Sequence, residues 1–282
     1  MNPIKHYGPA LIRRYCFSVL ALIVLSASAA IVGAAPLWEA GGGLACLYLP
    51  DYRGANQGDV YVLPYPYLIY RGDFLRVEDD SVSGRIFKSD RVLLDLSFFG
   101  SVPVNSDDNS TRQGMPDLDP TFETGPALDI KIFATEEDGY KLSLNLPVRA
   151  VFSTDFSTVR HRGWVFSPRI NFEAEDITPG SGIGLGLSAG PLFADHGFHD
   201  YYYSINPAYA TPDRPAYTAG SGYSGTTVTL GLSKKLDSLI LKCFFSADFL
   251  EGAAIEKSPL VKDKCTVMTG ITISWVMLRS NR

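Results

Sequence analysis

The chain has 282 residues, 46% of them hydrophobic and 20% charged, with 26 glycines and a formal net charge of −5. That composition excludes a disordered or collagen-like polypeptide. The acidic balance argues against nucleic-acid binding, which depends on a basic footprint.

The chain opens with Lys5, Arg13 and Arg14 and no acid, and continues into the apolar run "CFSVLALIVLSASAAIVGAA", which ends in small residues. Basic, apolar and small-residue regions in that order are the plan of a secretory signal peptide, with cleavage after Ala29 or Ala34. An uncleaved anchor is the plainer alternative, because Cys16 to Ala35 approaches the roughly 20 residues that span a bilayer. The expected layout is a leader over 1–34 and one exported domain over 35–282. Removing the leader leaves 22 Lys and Arg against 30 Asp and Glu, a net of −8. Cys46, Cys243 and Cys265 then remain, odd in number and widely spaced, a pattern of unpaired thiols and not of a disulfide framework.

Beyond residue 35 no apolar run suits a transmembrane helix, and the recurring signal is a period of two. Trp38 to Leu49 is the first expected strand. The second, "VYVLPYPYLIYRG" at 60–72, carries Pro64 and Pro66 near its middle, although proline cannot donate to a ladder. Residues two apart direct their N–H groups toward the same neighbour. Both missing donors therefore fall on one side, and the expectation is a weakened seam facing a polar lumen.

Phe74 to Glu78 is a weak third strand. "RVLLDLSFFGS" sets Val92, Leu94, Leu96 and Phe98 against Asp95, Ser97 and Ser101, and "ALDIKIF" sets Leu128, Ile130 and Ile132 against Asp129 and Lys131. The clearest alternation is "KLSLNLPVRAVF", with Leu142, Leu144, Leu146, Val148, Ala150 and Phe152 opposite Lys141, Ser143, Asn145, Pro147 and Arg149. "VFSPRINFEA" follows, with Ser167, Arg169, Asn171 and Glu173 on its polar face. "GIGLGLSAG", a weak strand at Tyr201 to Ile205, "TVTLGLS", "LILKCFFSADF" and "TVMTGITISWV" bring the total to about twelve, with 10 to 14 compatible with the pattern.

Alternation suits a soluble sandwich as well as a membrane barrel. The polar faces carry full charges, as an aqueous or networked lumen requires, and the opposite faces are unbroken Leu, Ile and Phe, as lipid requires. Together with the leader and strands long enough to cross when tilted, this predicts an all-β fold, a transmembrane antiparallel β-barrel. Lys141, Arg149, Arg169 and Glu173 are the candidate lumen network, lining a pore or filling the interior.

Asp195, His196, His199 and Asp200 could bind a metal or serve a nucleophile, but the spacing matches no strong signature and a solvated turn is the simpler reading. Tyr201 to Tyr203 could stack a sugar; an interfacial aromatic girdle is the preferred reading. No catalytic triad, metal or cofactor motif is expected. Val102 to Pro120 is a long polar insertion whose Asp107, Asp108, Arg112, Met115, Asp117 and Asp119 make it the candidate partner surface or lumen plug. Four expected strands precede it, which places it on the periplasmic side.

Three stretches, "PDYRGANQGDVYVLPYPYLIYRGDFLRV", "SVPVNSDDNSTRQGMPDLDPTFETGP" and "DYYYSINPAYATPDRPAYTAGSGYSG" with "SPLV" at Ser258 to Val261, resemble the MipA/OmpV family of Gram-negative outer-membrane proteins. The resemblance covers about residues 37–276. It implies a barrel in the outer membrane, in contact with its lipid, and no catalytic residues. It also implies a scaffold role linking a lytic transglycosylase, a murein hydrolase, to a murein synthase. A narrow porin for small solutes is the rival reading and a lipid-modifying hydrolase the third. One departure is that Trp275 is followed by "VMLRSNR", whereas such barrels usually end on an aromatic residue.

Overall fold

The computed structural model describes residues 36–72, 75–77, 82–135, 139–178 and 180–280. The expected leader over 1–34 lies outside these residues, as do Phe74 and Glu78 at the ends of the weak third strand.

The strands in chain order are β1 (Trp38–Pro50), β2 (Gly58–Arg71), β3 (Leu75–Val77), β4 (Val82–Lys88), β5 (Val92–Ser101), β6 (Thr121–Thr135) and β7 (Tyr140–Thr154), then β8 (Val159–Phe166), β9 (Arg169–Ala174), β10 (Ile183–Ala194), β11 (Gly222–Leu236), β12 (Leu239–Phe249) and β13 (Cys265–Arg279). All pairings are antiparallel, mostly between neighbours in the chain, and β13 returns to pair with β1, so the sheet closes on itself. β8 and β9 both lie between β7 and β10. They are two halves of one stave, broken at Ser167–Pro168, where proline offers no N–H. The ring therefore has twelve staves, an even number that lets both ends of the chain leave from the same rim.

Closure is what the bilayer demands. An unpaired backbone group in hydrocarbon costs several kcal/mol, so a sheet there must have no free edge or cover it. The alternation then sorts side chains. On β7, Ser143, Arg149 and Ser153 are buried inside the ring, while Leu144, Leu146 and Val148 face out. On β12, Ser246 and Asp248 point in and Phe245 and Phe249 point out. In β1 two glycines of the run 41–43 answer to different neighbours: a Cβ on Gly41 would stand 1.8 Å from the Trp275 carbonyl oxygen of β13, and one on Gly43 2.7 Å from the ring of Tyr65, whose hydroxyl bonds Ser274 Oγ at 2.5 Å across the lumen side.

Three expectations are corrected. "VSGRIFK" forms β4, a strand that Gly84 and the charged residues hid from the periodicity. Tyr201 to Ile205 is not a strand: His196–Tyr203 is helix α1, capped by Asp195, whose side chain accepts from Phe198 N–H at 3.0 Å. The two errors cancel in the total but not in position. Five strands, not four, precede Val102–Pro120, so that loop lies at the rim opposite the chain termini. Past Trp275, β13 continues to Arg279, paired with Glu39, so much of the apparent extension is strand.

Candidate functional site

Residues 51–57, 102–120, 195–221 and 250–264 all join odd-numbered staves to the next and so share one rim. They fold over the mouth and pack on one another. Leu250, Ile255 and Leu260 are fully buried there, with Tyr52, Val104, Leu118, Tyr203 and Ile205 around them; burying such a side chain stabilises by roughly 1.5–3 kcal/mol each.

Polar ties fix the cap. Tyr52 Oη donates to the Leu260 carbonyl at 2.9 Å, Tyr203 Oη to the Arg53 carbonyl at 3.0 Å and Ser258 Oγ to the Tyr203 carbonyl at 2.7 Å. Asn109 Nδ2 donates to Asp51 Oδ2 at 2.6 Å, and Ser110 N–H to Gln57 Oε1 at 2.8 Å. Arg112 is buried and donates to Ser106 Oγ and to the carbonyls of Tyr202 and Pro116. Burial holds its pKa below the usual guanidinium value. Arg214 binds the carbonyls of Thr111, Gln113 and Tyr209 in the same way. Arginine suits this work because its planar fork reaches several carbonyls at once.

The candidate loop residues divide. Arg112, Met115, Asp117 and Asp119 border a cleft of about 610 Å³ between the 102–120 loop, α1 and β8. Across it Arg162 lies over the Tyr201 ring at 4.2 Å and within 4.0 Å of Asp119. Burial pushes the Tyr201 hydroxyl up to about 12. Asp107 and Asp108 do not reach the cleft; they stand exposed, Asp108 accepting from Asn105 at 2.9 Å. The cleft mixes both signs of charge, Arg112, Arg160 and Arg162 with Asp117, Asp119 and Asp200.

The histidine cluster is not the solvated turn expected. His199 is fully buried in α1 with its Nδ1 bonded to the Gly220 carbonyl at 2.5 Å, and His196 Nδ1 bonds the Ala219 carbonyl at 2.8 Å. Burial lowers the pKa of His199. Among the described residues no three His, Cys, Asp or Glu gather as metal ligands. The tyrosine run is not the girdle either: Tyr201 to Tyr203 lie within the cap. The outward aromatic belt near that rim comes instead from Phe122 stacked on Phe152 at 5.3 Å, His161, Trp164, Phe166 and Phe193. Among the described residues Cys46, Cys243 and Cys265 form no disulfide.

Inside the ring the four candidate lumen residues form two groups. Lys141 and Glu173 pair at 3.4 Å near the short-turn rim, half exposed, where such a pair is worth about 0–1 kcal/mol. Arg149 pairs deeper, at 2.8 Å with Glu123, and also donates to Ser167 Oγ at 3.2 Å. Arg53 reaches down from the cap to Asp248 at 3.0 Å. Arg169 makes no hydrogen bond or ion pair among the described residues and lies within electrostatic reach of Arg149, Arg53, Glu123 and Asp248. Asp248 already stood within the alternating segment at 239–249, and Glu123 was legible as inward had the alternation of 127–133 been extended by a few residues; Arg53, in a loop, had no such signal.

A closed ring with an apolar outer band, a charged interior and one long-looped rim defines a transmembrane β-barrel. The chain belongs to the MipA family: the family model described as MltA-interacting protein MipA matches residues 42–277. It is an outer-membrane protein. No curated protein matches the sequence. Similar solved structures include an outer membrane channel from Pseudomonas putida F1 (12% identity, TM-score 0.45, 89% of this chain and 100% of that one). Outer membrane phospholipase A from Escherichia coli gives 12% identity and TM-score 0.34 over 92% and 97% of the two chains. The Pseudomonas putida toluene transporter TodX gives 9% and 0.29 over 88% and 69%. Likenesses this distant carry no inference about function.

Proposed function

We propose that this protein is a non-enzymatic, closed barrel that serves as an attachment point for murein-processing enzymes, with residues 1–34 as its cleaved leader. The observation that carries the reading is the sealed mouth. Buried Leu250, Ile255 and Leu260 close one end, and Arg53–Asp248 and Arg149–Glu123 cross the space beneath. At the opposite rim Tyr67, Ile69, Ile240 and Val276 pack together inside the ring. Such an interior favours an anchored scaffold over an open pore, and the family description, MltA-interacting protein, supplies the class of partner.

Short turns of bacterial barrels face the periplasm and long loops face outward. On that rule the murein enzymes meet the rim of short turns, and the 102–120 loop faces away from them. The test pairs two measurements on purified protein: bilayer conductance, and capture of a purified lytic transglycosylase and a bifunctional murein synthase by barrel held in vesicles. Low conductance with capture is expected. Steady conductance without capture overturns the scaffold in favour of a narrow channel.

A further inference from the structure

Among the described residues the barrel wall has a window between β2 and β5. β3 pairs with β2 only at Tyr70 and Arg71, and β4 pairs with β5 only from Leu93 to Leu96. Among the described residues, Val60, Val62, Pro64, Pro66 and Leu68 of β2 and 97–101 of β5 thus have no strand partner on the sides that face each other. The cap bridges the window above, through Gln57 to Ser110 and Asp51 to Asn109.

The register shows which backbone groups face the opening. Arg71 N–H donates to the Leu37 carbonyl at 2.8 Å and Asp51 N–H to the Gln57 carbonyl at 3.1 Å. Along the β1–β2 ladder the odd residues of β2 therefore bond β1. Val60, Val62, Pro64, Pro66 and Leu68 aim their backbone into the window, and the two prolines remove two of its five donors. Side-chain exposure agrees. In the paired wall inward Ser143 and Ser274 are sealed, at 1% and 0%, whereas inward Leu63 and Phe99 at the window are 46% and 53% exposed. Unpaired backbone at membrane depth is tolerated where it borders a polar cavity.

Behind the apolar opening stands surplus positive charge. Arg149 lies over the Phe99 ring at 5.7 Å. Arg53 Nε and Nη1 are buried with no hydrogen-bond partner, and Arg169 has no ion pair among the described residues. Among the described residues the guanidinium groups of Arg53, Arg149 and Arg169 lie within electrostatic reach of one another and of the carboxylates of Glu123 and Asp248.

We infer that the lumen binds the phosphate-bearing head of an anionic membrane amphiphile at Arg53, Arg149 and Arg169, with its hydrocarbon tail leaving through the β2–β5 window past Leu63, Phe98 and Phe99. The site stands apart from any enzyme capture at the short-turn rim, so either can fail without the other.

The test reconstitutes the full barrel in phosphatidylcholine vesicles with a minor share of phosphatidylglycerol carrying a photoactivatable acyl chain, and maps adducts by mass spectrometry. Inward Leu63 and Phe99 should be labelled several-fold more by this probe than by a phosphatidylcholine probe of the same chain. Arg169→Gln should lower those adducts several-fold and leave outward Leu144 and Phe245 labelled as before, which also shows that the variant is folded. Adducts confined to outward residues overturn the window and the site together. Equal labelling by the two probes, or no loss in Arg169→Gln, overturns the anionic site.

Discussion

Arg149 Nε donates to Glu123 Oε2 at 2.8 Å between adjacent strands, both side chains almost wholly buried inside the ring. Removing one member of a buried pair leaves the other charge uncompensated, at a cost of roughly 3–5 kcal/mol. Arg149→Met should therefore sharply lower the urea midpoint for loss of the heat-modifiable folded band. Joining it to Glu123→Leu should recover most of that loss. A single variant as stable as the parent would show that the pair is solvated.

Gly163 is the hinge point where α1 docks on β8. It has φ +126°, and a Cβ there would stand 2.1 Å from Asp195 Oδ1 and 2.5 Å from Phe198 N. Gly163→Ala combines backbone strain of about 1–3 kcal/mol with loss of the helix cap. Protease cleavage within 195–221 should quicken while the strands stay protected; an unchanged cleavage rate would mean that the helix docks without this approach.

His199 gives the cap an acid sensitivity. Its folded pKa lies below its unfolded value of about 6.5. Above that pH both states are neutral, and no stability changes. As pH falls below about 6.5 the unfolded cap takes up the proton first, so stability drops by up to about 1.4 kcal/mol per pH unit until the folded pKa is reached. Cap proteolysis should speed up from pH 7.5 to pH 5, and His199→Asn should flatten the profile. A parent profile already flat would count against a buried neutral imidazole.

Arg53 is the link between cap and interior. Arg53→Ala removes the 3.0 Å pair with Asp248 and leaves that carboxylate buried without its cation. Conductance openings should be more frequent in bilayers than for the parent, and Asp248→Asn added to Arg53→Ala should restore cap protection. Silence in the single variant would place the block elsewhere in the interior.

The sequence alone determined the class of fold, because alternation is local: each pleat sends neighbours to opposite faces, and lipid on one side with charge on the other writes that period into β5, β7 and β12. It marked Arg149 and Arg169 as inward and Pro64 and Pro66 as sharing one edge, and its long motifs carried the family. Tertiary structure decided what depends on pairing between distant segments. A cap on Asp195 and packing against β8 made a helix of tyrosine-rich chain that reads as strand. The short β4, hidden by Gly84, shifted the 102–120 loop to the other rim. The prolines, expected to weaken a ladder facing the lumen, instead border an edge with no ladder among the described residues. Register and strand length fix that edge, and neither is visible in the period of two.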